Sequence, residues 1–379
     1  MHASPPEGST SLATSEDGSF IQGLRLSELL YDEAVQPILA ARFPQLAYSA
    51  ALLGPGSEVL GFDTPQSTDH DWGPRLLLFL SQADLEACGD AIDQTLRHEL
   101  PSQIHGYPTD LARRGAEGAV PANAQRGGIE HSVRLTSVRA FLRECLDWDP
   151  NQELRPVDWV AFPEQRLRSA TAGRVFHDGL HELEPIRARL SYYPRDVWLY
   201  LLSAQWRRIS QEEPFMGRCG QVGDDLGSRL VAARLVRDLM RLCFLMERQY
   251  APYVKWFGTA FGRLRCADAL SPILLRGLAA NSWPEREAAL TLAYEFVARM
   301  HNALGITEPL SAQVQPFHER PFRVLNAERF ADAVQAAICD PAVQALPPYL
   351  GAIDQFVDST DVLDDHRRFG RLKLMYDTT

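Results

Sequence analysis

The chain has 379 residues, of which 45% are hydrophobic and 23% charged, and a formal net charge of −11 at pH 7. That length accommodates two domains or one large one, and the composition is that of an ordinary globular protein. The acid excess argues against wrapping long nucleic acid through many phosphate contacts, and no apolar run approaches the length of a membrane span.

Residues 1–20 form a leader rich in Ser, Pro, Gly and Glu. It lacks a basic start and an apolar core, so it reads as disordered rather than as a signal peptide. A helix is predicted over 24–44, with Ser27 as its cap and Leu29, Leu30, Ala34, Ile38 and Leu39 on its apolar face. Leu46–Leu53 reads as a strand running into the turn Gly54-Pro55-Gly56-Ser57. After eleven intervening residues Ser57 is followed by Asp69-His70-Asp71 and then by the apolar run Arg75–Leu80, which reads as a strand headed by the aspartates. On a strand, residues i and i+2 share a face, so Asp69 and Asp71 would lie side by side with His70 turned away. Adjacent carboxylates repel unless a cation or proton relieves them, and Mg²⁺ takes such oxygen ligands. The Gly56-Ser57 turn offers backbone N–H groups and a hydroxyl to a phosphate. Glu58 lies too near that turn to serve as a base and is expected to be exposed.

A helix is predicted over 83–100, a strand over 104–111, a mobile Gly/Ala/Arg-rich loop over 113–128 and a strand over 131–138. Residues 171–178 read as a hairpin or loop. Beyond about residue 140 the pattern turns helical: 141–146, 157–162, 195–209, 225–248, 268–281, 284–304, 326–339 and 348–358. Asp224 and Asp225 can cap the helix at 225–248, and Asp225 is also a candidate ligand-binding acid. Asp158 reads as a helix cap. His177 and His181 make a poor metal pair because Gly173 and Gly179 interrupt any helix there. Lys255 is one of two lysines among 38 basic residues. A compact ammonium suits phosphate oxygens, and the neighbouring Tyr253 offers a ring for stacking on a base. The six cysteines form no CxxC and no zinc-spaced cluster, and read as buried free thiols.

The Gly56-Ser57 pair, the spacer and Asp69-x-Asp71 resemble the nucleotidyltransferase superfamily typified by DNA polymerase β. The mixed first half followed by a helical second half is similar to its minimal, antibiotic-modifying branch of kanamycin and streptomycin type. The resemblance covers residues 56–80. It implies an α+β fold: a small mixed sheet with flanking helices in a catalytic domain over 21–180, then a mostly α-helical domain over 181–379 that completes the cleft. It implies transfer of NMP, with ATP as the expected NTP co-substrate, to a hydroxyl of a small molecule such as an aminoglycoside-like natural product, and a cytoplasmic enzyme. Asp69 and Asp71 would be catalytic ligands of one or two Mg²⁺, Gly56 and Ser57 would position phosphates, and a third carboxylate would complete the site. Glu130 is the first candidate for that acid. Arg134, of the same strand parity, stands where an acid is expected. Nucleotidylation of a protein or RNA end, a non-catalytic nucleotide-binding scaffold, and a metal-dependent phosphohydrolase built on His70-Asp71 remain as alternatives.

Overall fold

The computed structural model describes residues 20–69, 72–110 and 129–377. In chain order the α-helices longer than one turn are α1 (Gly23–Leu30), α2 (Gln36–Arg42), α3 (Gln82–Glu99), α4 (Val138–Leu146), α5 (Pro156–Ala161), α6 (Glu164–Thr171), α7 (Leu183–Arg189), α8 (Arg195–Glu212), α9 (Phe215–Gln221), α10 (Asp225–Met246), α11 (Val254–Phe261), α12 (Ala267–Ala279), α13 (Trp283–Ala303) and α14 (Glu328–Ala336). The strands are β1 (Tyr48–Leu52), β2 (Leu76–Leu80), β3 (Gln103–Ile104), β4 (Tyr107–Pro108), β5 (Val133–Thr136), β6 (Arg174–Asp178), β7 (Gln315–Pro316) and β8 (Arg323–Val324). The fold is α+β, and the chain divides into two compact units. One runs through Asn151 and includes Arg168–Ser191; the other comprises Gln152–Leu167 and the chain from Tyr192 onward.

The first unit is built on a four-stranded mixed sheet in the order β5-β2-β1-β6. β1 is antiparallel to both β2 and β6, whereas β2 and β5 are parallel. Ala50 of β1 and Leu76, Leu78 and Leu80 of β2 join one buried cluster with Leu26, Leu30, Val35, Leu39, Ile92 and Leu96 from the α1–α2 segment and α3. On the opposite face Phe79 packs edge-on against Phe141 of α4, with ring centroids 5.6 Å apart. With helices over both faces, β2 is a continuous apolar run rather than an alternating one. Ser81 caps α3 by accepting the Asp84 N–H at 3.0 Å, and Ser137 caps α4 through the Ala140 N–H at 3.2 Å.

The helix expected over 24–44 is a continuous helical run over 23–42 that widens into a π-type turn at Tyr31–Val35, just ahead of Pro37, which has no N–H to continue an α-helical ladder. Three local expectations are corrected. The strand expected over 104–111 is the small β3–β4 hairpin, turning at His105 and Gly106 with φ of 47° and 82°. Residues 171–178, expected as a hairpin or loop, contain the strand β6 at the sheet edge. Gly173 makes its entry possible: its φ is 70°, and a Cβ there would lie 2.0 Å from the Leu52 carbonyl oxygen. The helix expected over 348–358 is one 3₁₀ turn at Ile353–Gln355, after Pro347, Pro348 and the left-handed Gly351.

The second unit is helical apart from the β7–β8 ribbon. Asp224 caps α10 by accepting the Gly227 N–H at 2.8 Å, and a Ser282–Glu285 capping box starts α13. Asp158 accepts the Arg155 N–H at 2.9 Å at the start of α5, as expected for a cap. No described helix is long and apolar enough to cross a membrane. All six cysteines are free; Cys145, Cys243 and Cys266 are buried, but Cys88 and Cys219 are half-buried and Cys339 is exposed.

Candidate functional site

Antiparallel pairing brings the end of β1 beside the start of β2, and parallel pairing brings the start of β5 beside the same point, with Leu76 opposite Val133. Gly56-Ser57 after β1, Asp69 before β2 and Glu130 before β5 are therefore delivered to one end of the sheet. The bend after β1 is pinned from below. Gly54 donates its N–H to Ser169 O at 2.9 Å, and Gly173 donates to Val59 O at 3.0 Å. Within the bend, Gly61 donates to Glu58 O and Phe62 to Ser57 O. Among the described residues, the amide N–H groups of Gly56 through Leu60 and the Ser57 hydroxyl have no hydrogen-bond partner. Successive unpaired amides of this kind form a concavity for an anion.

Beneath the bend lies an ion pair. Glu58 is 2% exposed, which corrects the expectation that it sits on the surface. Its Oε1 is 2.6 Å from Arg75 Nη2, and Arg75 also donates to the Pro55 carbonyl. Gly56 has a φ of 141°, and a Cβ on it would stand 2.3 Å from Arg75 Nη2 and 2.7 Å from Glu58 Oε2. Only glycine tolerates both that backbone and that neighbour. Asp63 is also buried, accepting the Gly23 N–H at 2.7 Å and the Trp72 indole N–H at 3.1 Å. It ties the start of α1 to the bend.

Asp69 closes a 3₁₀ turn, Pro65–Asp69, and does not head the strand, which starts at Leu76. Gly73, with φ of 144°, and Pro74, which lacks an N–H, stand between them. Asp71 and His70 lie outside the described residues, as does the predicted loop at 113–128. Among the described residues, no group of three or more His, Cys, Asp and Glu is placed to hold a metal ion. Glu130 is exposed, and its N–H donates to Asp110 Oδ1 at 3.2 Å. Arg134 on β5 pairs with Glu144 of α4. His177 lies in β6 with its ring 4.8 Å from that of Tyr48, and His181 falls in the turn beyond the strand at φ 56°.

The remaining candidates belong to the second unit. Asp225 is committed to Arg229 at 2.7 Å and to the buried Arg286, and the Arg229 hydrogen bond followed by that of Arg286 lowers its pKa. Lys255 is exposed on α11 with Nζ 5.1 Å from the Trp256 ring centroid. Tyr253 precedes α11, and its hydroxyl accepts the Trp256 indole N–H at 2.7 Å.

Sequence reasoning missed Glu58 and Arg75 as a pair. The signal was present: an acid directly after Gly-Ser, and an arginine opening an otherwise apolar strand.

A family model described as Domain of unknown function (DUF4037) matches residues 159–257, a stretch that includes Asp225, Tyr253 and Lys255 but not the Gly-Ser bend. No curated protein matches the chain. Among solved structures, the chain is similar to a nucleotidyltransferase-like protein from Exiguobacterium sibiricum 255-15, with 12% sequence identity and a TM-score of 0.33, covering 91% of this chain and 87% of that one.

Proposed function

We propose that the protein is a nucleotidyltransferase that moves NMP from ATP or another NTP to a hydroxyl of a small molecule. The observation that carries this reading is the run of amides from Gly56 to Leu60 that have no partner among the described residues, at the sheet end that also receives Asp69 and Glu130. A polyphosphate fits it, because each N–H satisfied by an anionic oxygen removes an unpaired donor. The Ser57 hydroxyl adds a further donor.

In the reaction the acceptor oxygen attacks the α-phosphorus, the bond to the bridging oxygen breaks in line, and pyrophosphate leaves. The hydroxyl proton passes to a carboxylate, for which Glu130 is the candidate. Mg²⁺ bound by Asp69 and Asp71 would screen the triphosphate and favour ionisation of the acceptor hydroxyl. The chain's own contribution is to hold the β- and γ-phosphates on the bend so that the α-phosphorus stays aligned. Incubation of the protein with α-labelled ATP, Mg²⁺ and a cell extract tests the reading. Label in small molecules is expected; label in protein or RNA would move the acceptor to a macromolecule, and no incorporation would refute transfer.

A further inference from the structure

We infer that Arg75 is a triphosphate-binding residue of this site, held against the Gly56 bend by the buried Glu58; this rests on the nucleotidyltransferase reading above. A guanidinium carries five N–H donors. Nη2 donates to the Pro55 carbonyl and lies 2.6 Å from Glu58 Oε1 as an ion pair, without the geometry of a hydrogen bond. The Nε–H is buried with no partner, and no described group accepts from Nη1. Arg75 is thus held at one edge, and the rest of its guanidinium has no partner among the described residues.

The exposure of the pair is lopsided. The Glu58 side chain is 2% exposed and that of Arg75 26%. The carboxylate is therefore hidden while the cation is partly exposed. Glu58 is itself wedged: a Cβ on Gly23 would stand 2.6 Å from Glu58 Cβ and 2.9 Å from Trp72 Nε1. The absence of a side chain at Gly23 lets Glu58 lie there, and the absence of one at Gly56 lets the guanidinium lie there. Both glycines serve the position of this single arginine. A planar fork locked beside a row of amides with no described partner is pre-organised for phosphate oxygens, and its entropy cost is met in folding rather than in binding. The contact belongs to the β- or γ-phosphate, because Arg75 lies beneath the phosphate bend itself.

The test is calorimetric titration of the full chain with Mg²⁺ and a non-hydrolysable ATP analogue, and separately with AMP. Wild type is expected to bind the triphosphate. Arg75→Gln should weaken the triphosphate about 10- to 100-fold, the loss of charge-assisted hydrogen bonds, and leave AMP nearly unchanged. Arg75→Lys keeps the charge and should fall in between. Arg75→Gln combined with Glu58→Gln removes the stranded carboxylate and should show the same selective loss, which guards against a folding defect in the single variant. Unchanged triphosphate affinity, or equal losses for triphosphate and AMP, would overturn the inference while leaving the enzyme reading intact. A wild-type protein that binds no nucleotide would overturn that reading, and this inference with it.

Discussion

Replacing Gly56 by alanine perturbs the bend in two separable ways. The φ of 141° is a region that residues with a Cβ rarely occupy, and strain of this kind costs about 1–3 kcal/mol. The added Cβ also falls 2.3 Å from Arg75 Nη2 and 2.7 Å from Glu58 Oε2, so the ion pair must move. Breaking a buried pair outright costs about 3–5 kcal/mol, because one charge is left without a partner in the interior. Arg75 is 26% exposed and can follow Glu58 part of the way, so roughly half of that is expected to be lost. The sum is about 4 kcal/mol. Urea unfolding followed by tryptophan fluorescence measures it, with Trp72 beside Glu58 as a local reporter. In a background carrying Arg75→Met and Glu58→Gln, only the backbone strain should remain, about 2 kcal/mol. A loss below about 1 kcal/mol in the wild-type background, or equal losses in both, would refute the account of the bend.

Two further predictions concern the helical unit. Burial pushes the His301 pKa down to about 4; its Nδ1 accepts the Trp206 indole N–H, leaving Nε2–H for Thr307. Its folded pKa lies below the unfolded value, so its contribution is present above about pH 6.5 and is lost as pH falls toward 4, about 3 kcal/mol in all. Burial pushes Glu213 up to about 7, so the stability tied to its protonated form is present below about pH 4.5 and is lost as pH rises through 7. The two trends oppose each other. Glu213→Gln should therefore gain on wild type between pH 5 and 8 in denaturant titrations, and a constant difference would contradict this. Asp225→Ala should lower the thermal midpoint, because Arg286 is 1% exposed and loses its carboxylate partner. Nucleotide affinity should be unchanged; weaker binding at full stability would return Asp225 to the nucleotide site.

The sequence reveals what is local. Periodicity placed α3, α10, α12 and α13, and polar residues at their starts marked the caps, because both signals lie within one or two turns of chain. The strands flanking the Gly-Ser bend were legible for the same reason. The Glu58–Arg75 pair was not, since it forms only when β1 and β2 close on each other, and an acid in a turn ordinarily points to water. β6 was obscured because its neighbours are glycines whose role, close approach to the Leu52 carbonyl, exists only in the sheet. The placement of Asp69 at the head of a strand ignored Gly73-Pro74, which separates the 3₁₀ turn from β2 and was readable all along.

The central claim is that the bend after β1 and the aspartates before β2 together hold a metal–nucleotide complex. Its most direct test is the affinity of a non-hydrolysable ATP analogue with and without Mg²⁺, in wild type and in Asp69→Asn and Asp71→Asn variants. Binding that strengthens with Mg²⁺ in wild type, and loses that dependence in both variants while the fold persists, is the predicted result. Equal affinity with and without the metal, or variants that respond to Mg²⁺ as wild type does, would contradict it.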